Sequence, residues 1–92
     1  MNKRVEAIVY GYVQGVSFRY YTLREAQRLQ LTGWVANQYD GTVKVVAEGP
    51  QESVQALARF LLEGSPLARV DHVKADWFDA KNEFANFNIR HL

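Results

Sequence analysis

The chain has 92 residues, the length of one domain, and 48% of them are hydrophobic, which is enough for a single core. It has no cysteine, so disulfides, thiolate metal sites and a cysteine nucleophile are excluded. A net charge of +1 without a basic block does not support general nucleic-acid binding. No apolar run reaches membrane-spanning length and the N-terminus lacks a signal-peptide core, so we expect one cytoplasmic domain over residues 1–92 with no membrane association.

The first half of the chain predicts a strand, a helix and a hairpin. Residues 5–13 alternate in polarity and size with the two-residue period of a β-strand. From Phe18 to Leu29 the apolar residues fall on one helical stripe. Residues 34–38 and 43–49 then form two strands, because Asp40-Gly41 between them is typical of a two-residue type I′ turn.

A two-residue turn also predicts the register of that hairpin. Asn37 would lie opposite Lys44, and Val35 opposite Val46, with Asn37 and Lys44 on the more polar face. The apolar face that the helices cover would then carry five other side chains, those of Trp34, Ala36, Val43, Val45 and Ala47.

The second half predicts one more helix and one or two strands. Residues 50–63 have apolar positions at helical spacing, and Gly64 suits a helix end. Residues 70–78 read as a strand with a bulge or at a sheet edge, and a short last strand follows around Phe87. The order βαββαβ, with a possible extra strand, predicts an α+β ferredoxin-like split βαβ fold, an antiparallel sheet with both helices on one face.

The junction of the first strand and helix predicts an anion site, which we call the anion loop. Free backbone N–H groups, the helix dipole and the guanidinium of Arg19 can all point at one oxyanion. We therefore expect a phosphorylated small molecule as substrate. The loop comprises the predicted substrate-binding residues Gln14, Gly15, Val16, Ser17, Phe18 and Arg19.

Asn37 is the second predicted catalytic residue, beside Arg19. The first two strands are joined through a helix and should run parallel, so their C-terminal ends lie at the same edge of the sheet. Arg19 can bind two phosphoryl oxygens with its planar fork, and the neutral amide of Asn37 can hold a water in line. Ser17 has no His or Asp near it in sequence, which favours backbone donation over a covalent role. His72 and His91 are too few for a metal site, and surface positions are expected for both.

At these residues the chain resembles the acylphosphatase family. The matching stretches cover nearly the whole length and lie at residues 11–19, 31–37, 40–43, 47–49 and 68–70. The resemblance implies hydrolysis of the carboxyl–phosphate bond of acyl phosphates, giving a carboxylate and inorganic phosphate, without a metal or other cofactor. It also implies that Arg19 binds phosphate and Asn37 orients the water. We expect a monomer.

One position departs from the family pattern, and two other functions stay open. The family often has glycine where this chain has Gln30, so a left-handed helix end there would be strained. The first alternative is a non-catalytic ferredoxin-like module that binds a ligand or RNA, because this fold hosts many functions. The absence of aromatic residues from 43–49 disfavours RNA. The second is a non-catalytic domain like that of hydrogenase-maturation carbamoyltransferases, which the short chain disfavours.

Overall fold

The computed structural model describes all 92 residues, from Met1 to Leu92. Five strands and two helices follow one another in the predicted order, and the possible extra strand is present as the last element. The elements are β1 (Asn2–Tyr12), α1 (Phe18–Arg28), β2 (Thr32–Asn37), β3 (Val43–Pro50), α2 (Gln51–Leu61), β4 (Arg69–Asp79) and β5 (Phe87–Ile89). Neither helix is long and apolar enough to cross a membrane.

The strands form one mixed sheet in the order β4-β1-β3-β2-β5. Both β1 and β2 pair antiparallel with β3, so they run parallel to each other as predicted. The last strand, β5, adds a parallel partner on the outer side of β2, so the sheet is not wholly antiparallel. As a result, the C-terminal ends of β1, β2 and β5 all lie at one edge of the sheet.

One hydrophobic core lies between the sheet and the two helices, which contact each other and cover the same face. The alternation predicted for β1 puts Val5, Ala7 and Val9 into this core without any exposed area. Each helix contributes one buried stripe, Phe18, Thr22 and Ala26 from α1 and Val54, Leu57 and Leu61 from α2. The fold class is therefore the predicted α+β ferredoxin-like arrangement.

The predicted register of the β2–β3 hairpin is wrong by one residue. Asn37 pairs with Val43 and Val35 with Val45, so the connection is a five-residue loop over 38–42. A type I′ turn needs positive φ at both central residues, and only Gly41 has it. Asp40 instead accepts hydrogen bonds from the hydroxyl (2.6 Å) and the N–H (3.0 Å) of Thr42, and these bonds lower the pKa of its carboxyl group.

This one-residue difference changes which side chains face the helices, because neighbours along a strand point to opposite faces. Val35 belongs to the core cluster with its partner Val45, whereas Trp34 and Ala36 lie on the open face. Asn37 pairs with the buried core residue Val43 and thus shares the helix-covered face.

Two local predictions are confirmed. Gln30 ends α1 with a φ of 58°, the left-handed conformation expected there. Its N–H donates to the carbonyl of Gln27 (3.0 Å), and the Leu31 N–H donates to that of Ala26 (2.9 Å), the paired bonds of a Schellman motif. The strand β4 lies at the sheet edge and has a register shift opposite Tyr10 and Gly11.

Candidate active site at the β1–α1 loop

The anion loop changes backbone handedness twice before α1 begins. Gly15 has a φ of 76° and Ser17 a φ of 63°, while Val16 between them has a negative φ. A Cβ at Gly15 would meet no atom within 4 Å, so this glycine is required by its φ and not by space. Alternation of this kind turns successive N–H groups toward one side, which is the geometry of an anion-binding nest.

The N–H groups of this loop are free to bind a ligand. Those of Gly15, Val16 and Ser17 donate to no acceptor in the protein. The first hydrogen bond of α1 runs from the Tyr21 N–H to the Ser17 carbonyl (3.1 Å), and no side chain caps the helix start. A helix N-terminus with uncapped donors favours an anion.

Buried side chains and one glutamine hold the loop in place. Val16 and Phe18 are 5% and 1% exposed, so these two predicted binding residues insert their side chains into the core and offer only backbone groups. The Gln14 side-chain amide donates to the carbonyl oxygens of Gln38 (2.8 Å) and Thr42 (2.9 Å). Gln14 therefore ties the anion loop to the β2–β3 hairpin, which carries Asn37.

Arg19 is half-buried and takes part in none of the five ion pairs of the chain. It lines a cavity of about 470 Å³, and the other lining residues are Val13, Gly15, Ser17, Phe18, Tyr20, Ile89 and His91. The cavity thus combines a guanidinium that has no carboxylate partner with the free N–H groups of the loop. This combination can hold two or three oxygens of a tetrahedral anion.

Asn37 ends β2 with an unsatisfied acceptor. Its Oδ1 atom is buried and has no hydrogen-bond partner, one of only two such side-chain atoms in the protein. A buried polar atom without a partner costs about 1–3 kcal/mol, so it calls for a specific explanation. The Asn37 carboxamide thus carries an acceptor that the protein itself does not use.

The structure brings the predicted residues to one edge of the sheet in two adjoining groups. Asn37 and Gln14 line a cavity of about 680 Å³ together with Gln38, Tyr39, Asp40 and Leu92. Arg19 does not line this cavity, and Asn37 does not line the one beside Arg19. The two cavities adjoin at consecutive residues of the anion loop, because Gln14 lines one cavity and Gly15 lines the other.

The sequence interpretation missed the C-terminal residues at this edge and misplaced one lysine. His91 is exposed, as expected, but it also lines the cavity beside Arg19, and Leu92 lines the cavity beside Asn37. Lys44, expected opposite Asn37, pairs with Ala36 on the open face instead and lines neither cavity. The sequence places His91 just after the short strand β5, but it does not predict which strand β5 pairs with. It therefore could not place His91 beside the anion loop.

Comparisons with known proteins agree on one family. The family model described as Acylphosphatase matches residues 5–89. An acylphosphatase of Salinibacter ruber is 48% identical over 88 residues, covering 96% of this chain and 93% of the relative. One of Caldanaerobacter subterraneus is 43% identical, covering 97% and 99%. The crystal structure of acylphosphatase from Bacillus subtilis superimposes with a TM-score of 0.92 at 35% identity, covering 96% of this chain and 98% of that one.

Proposed function

Because the chain belongs to the acylphosphatase family, we propose that Arg19 and the anion loop bind the phosphoryl group while Asn37 orients the attacking water. The reaction is hydrolysis of the carboxyl–phosphate bond of acyl phosphates to a carboxylate and inorganic phosphate. The chain is thus an enzyme, and the interpretation as a non-catalytic binding module is set aside.

One observation carries the proposal of phosphoryl binding. A guanidinium without an ion-pair partner lines the same cavity as backbone N–H groups without acceptors. Arg19 lines the same cavity as Gly15 and Ser17 and forms no ion pair within the chain. The guanidinium supplies charge and two donors in a plane, and the amides supply donors that need no reorientation. Together they stabilise the negative charge on the phosphoryl oxygens during transfer.

The role of Asn37 follows from the chemistry of the leaving group. A water oxygen attacks phosphorus, the bond from phosphorus to the acyl oxygen breaks, and the carboxylate leaves with the electron pair. A carboxylate is stable as an anion at neutral pH, so no general acid has to protonate it. In a loose transition state the water needs orientation more than deprotonation, and both of its protons end on the phosphate product. The buried Oδ1 of Asn37 is an acceptor suited to hold that water.

Metal independence is part of the same proposal. No group of three or more His, Asp or Glu side chains in the structure could hold a metal ion. We assign charge stabilisation to Arg19 and the loop amides. We further propose that the enzyme acts as a cytoplasmic monomer and binds neither nucleic acid nor membranes. Light scattering at several protein concentrations tests the monomer.

Hydrolysis of benzoyl phosphate in excess chelator tests the proposed site. We expect turnover to persist and inorganic phosphate to inhibit competitively, raising KM without changing kcat, because product and substrate occupy the same loop. Turnover that vanishes with the chelator and returns with a divalent metal would contradict metal independence. Inhibition that lowers kcat alone would place phosphate outside the substrate site.

A further inference from the structure

The C-terminal segment follows β5 toward the active-site edge in a defined register. Phe87, Asn88 and Ile89 pair in parallel with Gly33, Trp34 and Val35 of β2. The next residue continues the ladder, because the Arg90 N–H donates to the Val35 carbonyl at 2.9 Å. Extending this register by two residues from Ile89 brings His91 level with Asn37.

Arg90 fixes the segment from the other side of the sheet. Its guanidinium carbon lies 4.6 Å from the centre of the Trp34 ring, a cation–π contact. Trp34 faces the open side, opposite to Val35 and the core. Residue 90 is thus held by both its backbone and its side chain, which restricts where His91 can lie.

His91 lines the cavity of the anion loop together with Gly15, Ser17 and Arg19. The charged and titratable groups on the surrounding elements are few. The helix α1 contributes Arg19 and Tyr20 to this cavity. The β2–β3 hairpin contributes Tyr39 and Asp40 to the neighbouring cavity. The Asp40 carboxylate already accepts two hydrogen bonds from Thr42. Histidine side chains as a class change charge between about pH 5 and 8, and His91 is the one histidine that lines this cavity.

We propose that His91 is a second contact for the substrate's phosphoryl group, and that its positive charge makes anion binding tighter as the pH falls. The inference rests on the proposed role of the anion loop. An acyl phosphate carries two negative charges, and Arg19 supplies only one positive charge. A protonated imidazole in the same cavity adds a second cation and N–H donors from a residue outside the loop.

Sulfate inhibition of benzoyl phosphate hydrolysis isolates this effect, because sulfate stays a dianion across the working pH range. The inhibition constant would be measured from about pH 8 to about pH 5.5, the range in which histidine changes charge, at constant ionic strength. For the wild type we expect sulfate to bind about three- to fivefold more tightly at the acid end, the size of a solvent-accessible ion pair.

Three variants separate His91 from the rest of the protein. In His91→Gln the inhibition constant for sulfate should stay at the weak-binding value of the wild type at every pH. In His91→Arg it should stay at the tight-binding value at every pH. The matched control is His72→Gln, since His72 stacks on Tyr10 with 5.5 Å between ring centroids, on the open face. This variant should keep the wild-type profile.

An unchanged slope in His91→Gln would overturn the inference while leaving the anion loop in place. Failure of sulfate to compete with substrate in the wild type would overturn the proposed loop site, and this inference with it. Because His91 is exposed, its variants should fold, and a thermal melt of each checks this.

Discussion

Two arginines near opposite ends of the strand β1 differ in the number of carboxylates that form ion pairs with them. Arg4 is 7% exposed and forms ion pairs with Glu6 (2.8 Å), Glu48 (2.9 Å) and Glu83 (2.6 Å), which we call the Arg4 cluster. Arg19 forms no ion pair and lines the same cavity as Gly15 and Ser17 of the anion loop. The comparison teaches that the chain neutralises its structural arginine, Arg4, whereas it leaves Arg19, which we propose binds the substrate, without an ion-pair partner.

The Arg4 cluster also holds the segment between β4 and β5. The carboxylate of Glu48 accepts hydrogen bonds from the N–H groups of Lys81 (2.8 Å) and Asn82 (2.9 Å). Burial alone would raise the pKa of Glu48, but these bonds and the bond from Arg4 outweigh it, and the pKa is lowered. This buried carboxylate accepts three hydrogen bonds from its own chain and contributes to folding.

Arg4→Met should have the largest effect on stability. It leaves the buried Glu48 without its cation, and removing one partner of a buried ion pair costs about 3–5 kcal/mol. Urea unfolding measures the loss, and kcat/KM per folded molecule should stay at the wild-type value. A matching loss of activity in the folded fraction would mean that the two ends of β1 are coupled.

The double variant Arg4→Met/Glu48→Leu is the control for that prediction, because it removes both charges. It should be more stable than Arg4→Met alone.

The loss of stability at acid pH provides a second check on the Arg4 cluster. The pKa of Glu48 is lowered in the folded state, so its stabilisation is complete above the unfolded value of about 4.3 and is lost as the pH falls through the folded value. The double variant should show a shallower loss over that window.

Arg19→Ala should reverse the pattern, leaving stability unchanged and removing activity. Loss of a preorganised charge at the phosphoryl oxygens costs about 3 kcal/mol or more in kcat/KM, which is over a hundredfold. Inorganic phosphate should also bind far more weakly, as measured by competitive inhibition. Arg19→Lys keeps the charge without the planar fork and should recover only part of the loss. A variant that lost stability but not rate would put Arg19 in the same class as Arg4.

Asn37→Ala should lower kcat by about a hundredfold, the effect of losing one positioning group, and should largely spare phosphate inhibition. Because the Oδ1 atom is buried without a partner, its removal should leave stability unchanged or slightly higher. Asn37→Asp has the same shape but adds a negative charge, so it should weaken phosphate binding as well. Loss of phosphate binding with unchanged kcat in Asn37→Ala would reverse the roles of the two residues.

Gln30→Gly should have the smallest effect, raising the free energy of unfolding by about 1 kcal/mol. Its φ of 58° is accessible to glycine without the Cβ penalty. Turnover of benzoyl phosphate should not change, since Gln30 lies at the far end of α1 from the anion loop. The control is Gln27→Gly, inside the same helix, which should lower stability by about the same amount. A lower stability of Gln30→Gly would show that the glutamine side chain contributes there.

The elements and the position of the loop between β1 and α1 could be predicted from the sequence because local signals specify them. The alternation in β1 and the stripe of α1 depend on residues next to each other in the chain. Gln30 could be assigned to a left-handed position from a pattern of family residues, and its φ agrees.

The register of the hairpin could not be predicted because residues distant in sequence decide it. Asp40-Gly41 suggested a two-residue turn, but Thr42 bonds to Asp40 and Gln14 crosses over to Thr42 and Gln38. The place of His91 depends likewise on the pairing of a three-residue strand with β2, for which the sequence has no signal. Nor could residue type distinguish Arg4 from Arg19, because the carboxylate Glu48 that neutralises Arg4 is distant in sequence.

A crystal structure with bound inorganic phosphate would test most directly whether Arg19 and the anion loop bind the phosphoryl group. We expect a tetrahedral anion within about 3 Å of the Arg19 guanidinium nitrogens and of N–H groups from Gly15 to Ser17, with Asn37 facing the same ion. Phosphate held elsewhere, with the Arg19 side chain turned away from the loop, would contradict the account.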